Sequence, residues 1–246
     1  MRIREAIDYY KEEEKNRKFM TSVCNKNNWN VYKDSDLSNM LDDFGGVLPP
    51  LSYIEHQCNY ARIIEPIFEK KNGQVVLLEM GGPARELAES FSKNFLKKSA
   101  GCTLKKGLSK EMKHKKVHNH TIIIGDMFLQ KTKEKIDKWL DGDKVDILIE
   151  RMQAGLDLIP RNGVWIWKQF NDWYKMVNEG GIMLIQTYST PFSSCRSDLL
   201  VPDDVFEQWG KVVSQNKSLE FKSDVFNQHF LLRKLPGAPE RLPVVT

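Results

Sequence analysis

Three short apolar runs in this chain end beside an acid, and a carboxylate at such a place can do chemistry. Val75-Val76-Leu77-Leu78 is followed by Glu79-Met80-Gly81-Gly82-Pro83-Ala84, Thr121-Ile122-Ile123-Ile124 by Gly125-Asp126-Met127, and Val145–Ile149 by Glu150-Arg151-Met152. A fourth run, Ile182-Met183-Leu184-Ile185, leads into Gln186-Thr187. A carboxylate accepts hydrogen bonds from hydroxyls and amino groups and attracts a cation, but it repels a phosphate. Gly81 and Gly82 allow a tight turn and close approach to the backbone, and a helix starting after them offers N–H groups without partners in the helix itself. The spacing is not the G-x-G-x-x-G of dinucleotide-binding turns, and no G-x-x-x-x-G-K-[ST] phosphate loop is present. Many strand-to-helix turns carry glycine for conformational reasons only. Taken with the acids, this one suits a nucleoside-bearing ligand that lacks phosphate.

Other groups invite weaker readings. His114, His118 and His120 have ligand-like spacing, but no Cys accompanies them and the surrounding lysines would repel a cation, so no metal site is expected. Cys24, Cys58, Cys102 and Cys195 lie far apart without a C-x-x-C pair, which points to free thiols in a reducing compartment. Cys195 follows Tyr188-Ser189-Thr190-Pro191, a faint likeness to the catalytic-cysteine segment of RNA cytosine enzymes, but a lone Cys is more often structural. Trp173 fits a core stripe, whereas Trp165 or Trp167 could face outwards. Between Lys93 and Lys116 nine lysines accompany one acid, Glu111; this strip carries +8 and leaves the remainder of the chain at −4. Such a strip could follow a phosphate backbone, yet it has no interleaved aromatics for base stacking and equally suits a solvated loop or a protected edge strand.

The elements that must position the acids follow from periodicity. Ile3–Phe19 has helical spacing, Thr21 to Pro50 is polar and irregular, and Ser52 with Glu55 forms a capping box for a helix running to about Glu69. Past the first apolar run, Arg85–Leu96 reads as a helix and Cys102-Thr103-Leu104 as a weak strand. Thr132–Leu140 is helical, and Gly163–Glu179 is the clearest helix, with Ile166, Phe170, Trp173 and Val177 on one face and Gly180 as its stop. Pro202–Val213 reads as a helix, and Leu219–Ser223 with His229–Arg233 as a pair of hairpin strands. Strands alternating with helices predict a mostly parallel sheet covered on both faces, with ligands beyond the carboxyl ends of the strands. Those ends are where Glu79, Asp126 and Glu150 fall.

Composition sets bounds. The chain has 246 residues, 41% of them hydrophobic, with six Trp, enough for a large core. No apolar run approaches the roughly 18 residues of a membrane span. Glu5, Asp8, Glu12, Glu13 and Glu14 suit neither a secretory nor a transit peptide, so a cytoplasmic location is expected.

In these motifs the chain resembles the class I S-adenosylmethionine-dependent methyltransferases. The likeness rests on Val75–Ala84, Ile122–Met127, Val145–Met152, Glu179–Thr187 and the C-terminal strand pair, in the family's order over about residues 60–235. It implies a three-layer Rossmann-like sandwich with a mostly parallel seven-stranded sheet and an antiparallel C-terminal strand, spanning 61–246. An N-terminal helical cap would occupy 1–60, and Asn28–Tyr60, rich in aromatics, could form a lid that selects the acceptor. It implies S-adenosylmethionine as cofactor. Glu79, beside Met80, would act near the methionine ammonium group, and Gly81 and Gly82 would give the cofactor room. Asp126 would accept from the adenine amino group, Met127 would cover the adenine, and Glu150 and Arg151 would line the cleft near the transferred methyl group. The acid that usually ends the second strand is missing: Thr103-Leu104-Lys105-Lys106 stands there. Methyl transfer needs mainly positioning, and a general base only when the acceptor keeps a proton, so no residue is forced to be catalytic. The segment after the fourth strand, Glu150-Arg151-Met152-Gln153-Ala154-Gly155, lacks the Asn/Asp-Pro-Pro-Tyr/Phe of enzymes acting on base amino groups. A small-molecule acceptor is preferred, with RNA held by the lysine strip, or a silent methyltransferase-like binding subunit, as alternatives. A nicotinamide-dependent oxidoreductase is disfavoured by the glycine spacing.

Overall fold

The computed structural model describes residues 67, 69–82, 84, 88, 96–103, 117–127, 129–150, 163–186, 210–224 and 229–242. Among the described residues there are seven strands: β1 (Val75–Met80), β2 (Leu96–Thr103), β3 (His120–Ile124), β4 (Val145–Glu150), β5 (Val177–Gln186), β6 (Leu219–Asp224) and β7 (His229–Lys234). Two helices, α1 (Gln130–Leu140) and α2 (Gly163–Met176), lie between β3 and β4 and between β4 and β5. The strands form one sheet in the order β3-β2-β1-β4-β5-β7-β6. β1 to β5 pair in parallel, while β7 is antiparallel to both β5 and β6. The mostly parallel seven-stranded sheet with an antiparallel final strand is therefore present as expected. The order of connection reverses at β1, which lies between β2 and β4, and such a reversal opens a crevice at the strand ends.

Every residue of β1 and β4 is buried, which is why both read as unbroken apolar runs. Alternation divides their side chains between two cores. On one face Val76, Leu78, Met80, Cys102, Leu148 and Met183 pack against Ile136 and Leu140 of α1 and against Phe170, Trp173 and Tyr174 of α2. On the other, Val75, Leu77, Ile147, Ile149 and Leu184 pack with Ile67 and Ala88. Trp173 meets Phe170 edge to face, with centroids 5.3 Å apart, and is wholly buried, so it belongs to the core.

Two boundaries differ from the sequence pattern. β2 begins at Leu96, inside the expected helix, and ends at Thr103. Its centre, Ser99-Ala100-Gly101-Cys102, has no β-branched residue, and pairing with β1 on one side and β3 on the other makes it a strand. α2 ends at Met176, and Val177 already belongs to β5. The residues after Val177 bulge out of register with β4, and Gly180, at φ 82°, turns the chain within that bulge instead of stopping a helix. Asp146 at the start of β4 fastens this region: its carboxylate accepts from the Val76 N–H at 2.9 Å and from the Asn178 amide at 2.8 Å, and pairs with Lys71 at 2.9 Å.

The cap and lid expected over 1–60, His114, Arg151, the side chains of Trp165 and Trp167, and Cys24, Cys58 and Cys195 lie outside the described residues. Among the described residues no helix is long and apolar enough to cross a membrane.

Candidate functional site

Glu79 is the penultimate residue of β1, fully buried, and stands between Gly101 of β2 and Ile149 of β4. Strand alternation puts it on the sheet face opposite Met80. Its carboxylate folds over the turn that follows: a Cβ at Gly82 would lie 2.6 Å from Glu79 Oε1 and 2.8 Å from its Cδ. Gly82 thus makes room for the acid itself. Gly81 adopts φ 93°, open to glycine at no steric cost, and its N–H donates to the Cys102 carbonyl at 2.9 Å, tying the turn to β2.

The end of β3 is built on the same plan. The Gly125 N–H donates to the Thr103 carbonyl at 3.0 Å, and a Cβ at Gly125 would strike the Thr132 side chain of α1. Asp126 is 7% exposed, and the Leu129 N–H donates to its carbonyl at 3.0 Å as the chain turns into α1. Met127 is buried in the α1/α2 core. Burial pushes the Cys102 thiol up to about 12, and the negative charge of Asp126 adds to that shift while Lys135 opposes it. Glu150, buried at the end of β4, pairs in register with Met80 and Ile185 and shares their face. The three acids fall at three strand ends, with Glu79 and Glu150 on opposite faces of the sheet. Arg151 is outside the described residues.

β2 ends at a buried Thr103, and no acid occurs within it. Two lysines of the basic strip, Lys97 and Lys98, lie at the opposite end of β2 and do structural work there. Both pair with Asp143 at 2.7 Å, and Lys98 also donates to the Trp139 and Leu140 carbonyls that end α1. Those lysine hydrogen bonds hold the Asp143 carboxyl below the usual carboxylate range. His120 Nδ1 and Ser99 Oγ are 2.9 Å apart. Among the described residues no group of three His, Cys, Asp or Glu could hold a metal ion.

A cleft of about 460 Å³ runs between α1 and α2, lined in part by Gln130, Lys133, Asp137, Asp172 and Lys175. Its charges serve the fold: Lys133 donates to Asp172, which also takes Lys168 at 2.9 Å. Burial lowers the Lys133 pKa, with Asp172 pulling it back, while both lysines hold the Asp172 carboxyl low against its burial. The cleft extends down the helices to Lys175 and Met176, away from the strand ends. Two polar side chains that periodicity did not single out are buried on α2, Gln169 and Asn171, each 3% exposed; Asn171 accepts from the Leu242 N–H, and the Gln169 Nε2 has no hydrogen-bond partner among the described residues.

Sheet order, direction and strand-end turns coincide with those the resemblance implied. The fold is the Rossmann-like methyltransferase fold. No family model matches the chain, and no curated protein matches it. Among solved structures the chain is similar to the MycE methyltransferase of the mycinamycin biosynthetic pathway, solved with Mg and SAH, at 13% identity over 72% of this chain and 49% of that one, with a TM-score of 0.47. It is also similar to the sugar N-methyltransferase KedS8 from Streptoalloteichus, at 12% identity, 78% and 95% coverage and a TM-score of 0.46. The N-methyltransferase NodS from Bradyrhizobium japonicum matches at 9% identity, 73% and 96% coverage and a TM-score of 0.44. The chain spans about half the length of the first of these.

Proposed function

We propose that the protein is an S-adenosylmethionine-dependent methyltransferase acting on a small molecule. The observation that carries this is the Glu79 carboxylate held over Gly82 at the end of β1, with Asp126 at the end of β3, on the edge where the sheet order reverses. Two buried acids suit the two N–H-bearing groups of the cofactor, its methionine ammonium and its adenine amino group, and disfavour a phosphate. Glu79 would hold the ammonium, directly or through water. Asp126 would accept from the adenine amino group and Met127 would lie against the ring. Close approach of the cofactor falls to Gly81, since the space at Gly82 is filled by Glu79. Glu150 and Arg151 would line the reacting end. When bound, the cofactor supplies an electrophilic methyl group on a sulfonium, so the chain's task is to orient the donor and acceptor and to exclude water. Residues 1–60 would cap this edge in a cytoplasmic enzyme.

RNA as acceptor draws less support. Lys97 and Lys98 are committed to Asp143 and to the end of α1, which takes two of the nine lysines out of any phosphate-facing surface. Calorimetric titration with S-adenosylmethionine and S-adenosylhomocysteine tests the proposal. We expect micromolar binding, weakened about tenfold or more in Asp126→Ala, as the loss of one charge-assisted hydrogen bond requires. No binding by the unaltered protein overturns it.

A further inference from the structure

Among the described residues β3 forms one edge of the sheet. Its parallel pairing with β2 uses the backbone groups of alternate residues: the Ser99 N–H donates to the Asn119 carbonyl at 2.8 Å, and the Gly125 N–H to the Thr103 carbonyl at 3.0 Å. Residues 119, 121, 123 and 125 therefore turn their N–H and C=O groups towards β2, while Ile122 and Ile124 turn theirs outwards. The outward Ile124 carbonyl accepts from Lys135 of α1 at 2.6 Å, which fixes that lysine against the edge. Lys131 and Lys138 stand four residues before it and three after, so three exposed lysines form one stripe of α1 along β3. The acids of α1 lie on its other side: Asp137 lines the cleft towards α2 with Gln130, and Gln130 donates to Glu134 at 3.5 Å. Ile123 packs in the core beneath α1, so the side chains of Ile122 and Ile124 fall on the opposite face of the sheet. Ile124 is 41% exposed, the one large apolar side chain so exposed among the described residues.

We propose that the outer edge of β3 is a strand-addition site for an extended segment of a partner protein in which acidic residues alternate with apolar ones. The backbone of the added strand pairs with the outward groups of Ile122 and Ile124. On the α1 face its carboxylates meet Lys131, Lys135 and Lys138, and on the other face its apolar side chains cover Ile122 and Ile124. The spacing agrees: Lys131 and Lys135 are about 6 Å apart along the helix axis, and alternate residues of a strand about 6.8 Å. Lysines beside an open edge also discourage indiscriminate pairing, and carboxylates on the incoming strand turn that guard into an attraction. A second copy of this chain fits worse, because two β3 strands paired across a twofold axis would set the lysine stripes against each other. A nucleic acid would satisfy the lysines but would leave Ile124 uncovered.

The test is titration of the full chain, by fluorescence anisotropy, with a dye-labelled capped peptide alternating glutamate and valine. Its lysine–valine counterpart, a polyglutamate of the same length and a single-stranded RNA serve as comparisons. We expect the glutamate–valine peptide to bind about tenfold more tightly than any of the three, and to weaken about tenfold as salt rises from about 0.05 to about 0.5 M. Ile122→Pro removes an outward N–H and leaves the bonds to β2 in place, which an edge strand tolerates, and it should weaken binding about tenfold. Lys131→Glu combined with Lys138→Glu should do the same without lowering the unfolding temperature. In the unaltered protein, peptide should slow hydrogen exchange at the Ile122 amide, a readout that survives if the proline variant fails to fold. Failure of the glutamate–valine peptide to bind overturns the proposal, as does binding that leaves exchange at Ile122 unchanged. Equal binding of polyglutamate or RNA would mean that the stripe is only a patch of charge, and a dimer that Ile122→Pro dissociates would put a second copy on the edge; either overturns it.

Discussion

The Glu79 carboxylate occupies the space that a side chain at residue 82 would need, with Oε1 2.6 Å and Oε2 3.1 Å from where that Cβ would be. Acid and glycine are therefore one device: the glycine exists so that the acid can lie across the turn. In Gly82→Ala the carboxylate or the turn must move. We expect a loss of about 1–3 kcal/mol of stability, as for overpacking elsewhere, and a fall of about tenfold or more in affinity for S-adenosylmethionine. Glu79→Gln keeps the volume and removes the charge, so it should lower affinity while leaving the urea midpoint nearly unchanged. Parental affinity in both variants would show that Glu79 holds only the turn.

Asp146 is a buried acid whose role is structural. It is as buried as Glu150 on the same strand, but it sits at the amino end of β4 and its carboxylate is engaged by the Val76 N–H, Asn178 and Lys71. Asp146→Ala would leave those donors unpaired, and breaking a buried charged interaction costs about 3–5 kcal/mol. Urea unfolding should record most of that loss, while the folded fraction binds S-adenosylmethionine normally. A loss of under about 1 kcal/mol would mean that water replaces the carboxylate at little cost.

The sequence shows strands written as unbroken apolar or β-branched runs and hides one defined by its neighbours. β1, β3 and β4 announce themselves as apolar runs, and the acids at their ends could be picked out because a carboxylate that closes an apolar run breaks the pattern. β2 could not be bounded, because Ser99-Ala100-Gly101-Cys102 carries no local preference and is a strand through its partners. The apolar repeat of α2 ran through Val177 because a buried residue looks alike in a helix and in the strand that follows. Lys97 and Lys98 looked like part of a ligand surface until Asp143, distant in sequence, was found beside them. Gln169 gave no signal at all, since a polar residue between the apolar positions of a helix ordinarily faces water.

Asp143 predicts a pH dependence. The lysine hydrogen bonds hold its carboxyl below the ordinary value of 3.8 in the folded chain. Its contribution is therefore complete above the unfolded value and is lost as the pH falls through the folded one. Asp143→Asn should remove that part of the acid dependence, so parent and variant differ in urea midpoint at pH 6 and converge towards pH 3, the flank of the carboxylate titration. Because Lys98 also donates to the end of α1, Trp139, whose ring centroid lies 5.2 Å from the lysine nitrogen, should report the change in fluorescence. Parallel stability curves for the two proteins across that range would remove Asp143 from the explanation.

The C-terminal segment is strapped to α2, and Tyr174 is its buckle. The Tyr174 hydroxyl donates to the Pro239 carbonyl at 2.6 Å, the Lys234 ammonium lies 4.2 Å from the Tyr174 ring centroid, and one turn away Asn171 accepts from the Leu242 N–H at 3.0 Å. Leu242 itself is 2% exposed in the core. Burial raises the Tyr174 phenol from 10.0 to about 12. The folded chain thus keeps this proton where the unfolded chain gives it up, and the contribution is full below the unfolded value and lost as the pH climbs towards the folded one. Tyr174→Phe should cost about 1 kcal/mol at pH 8, one hydrogen bond, and should flatten the decline in stability above pH 10. Leu242→Ala, which empties a packed position, should cost about 2–5 kcal/mol with no such change in alkaline slope. If both variants lost stability equally and with the parental slope, the strap would be held by packing, and the Tyr174–Pro239 bond would contribute nothing measurable.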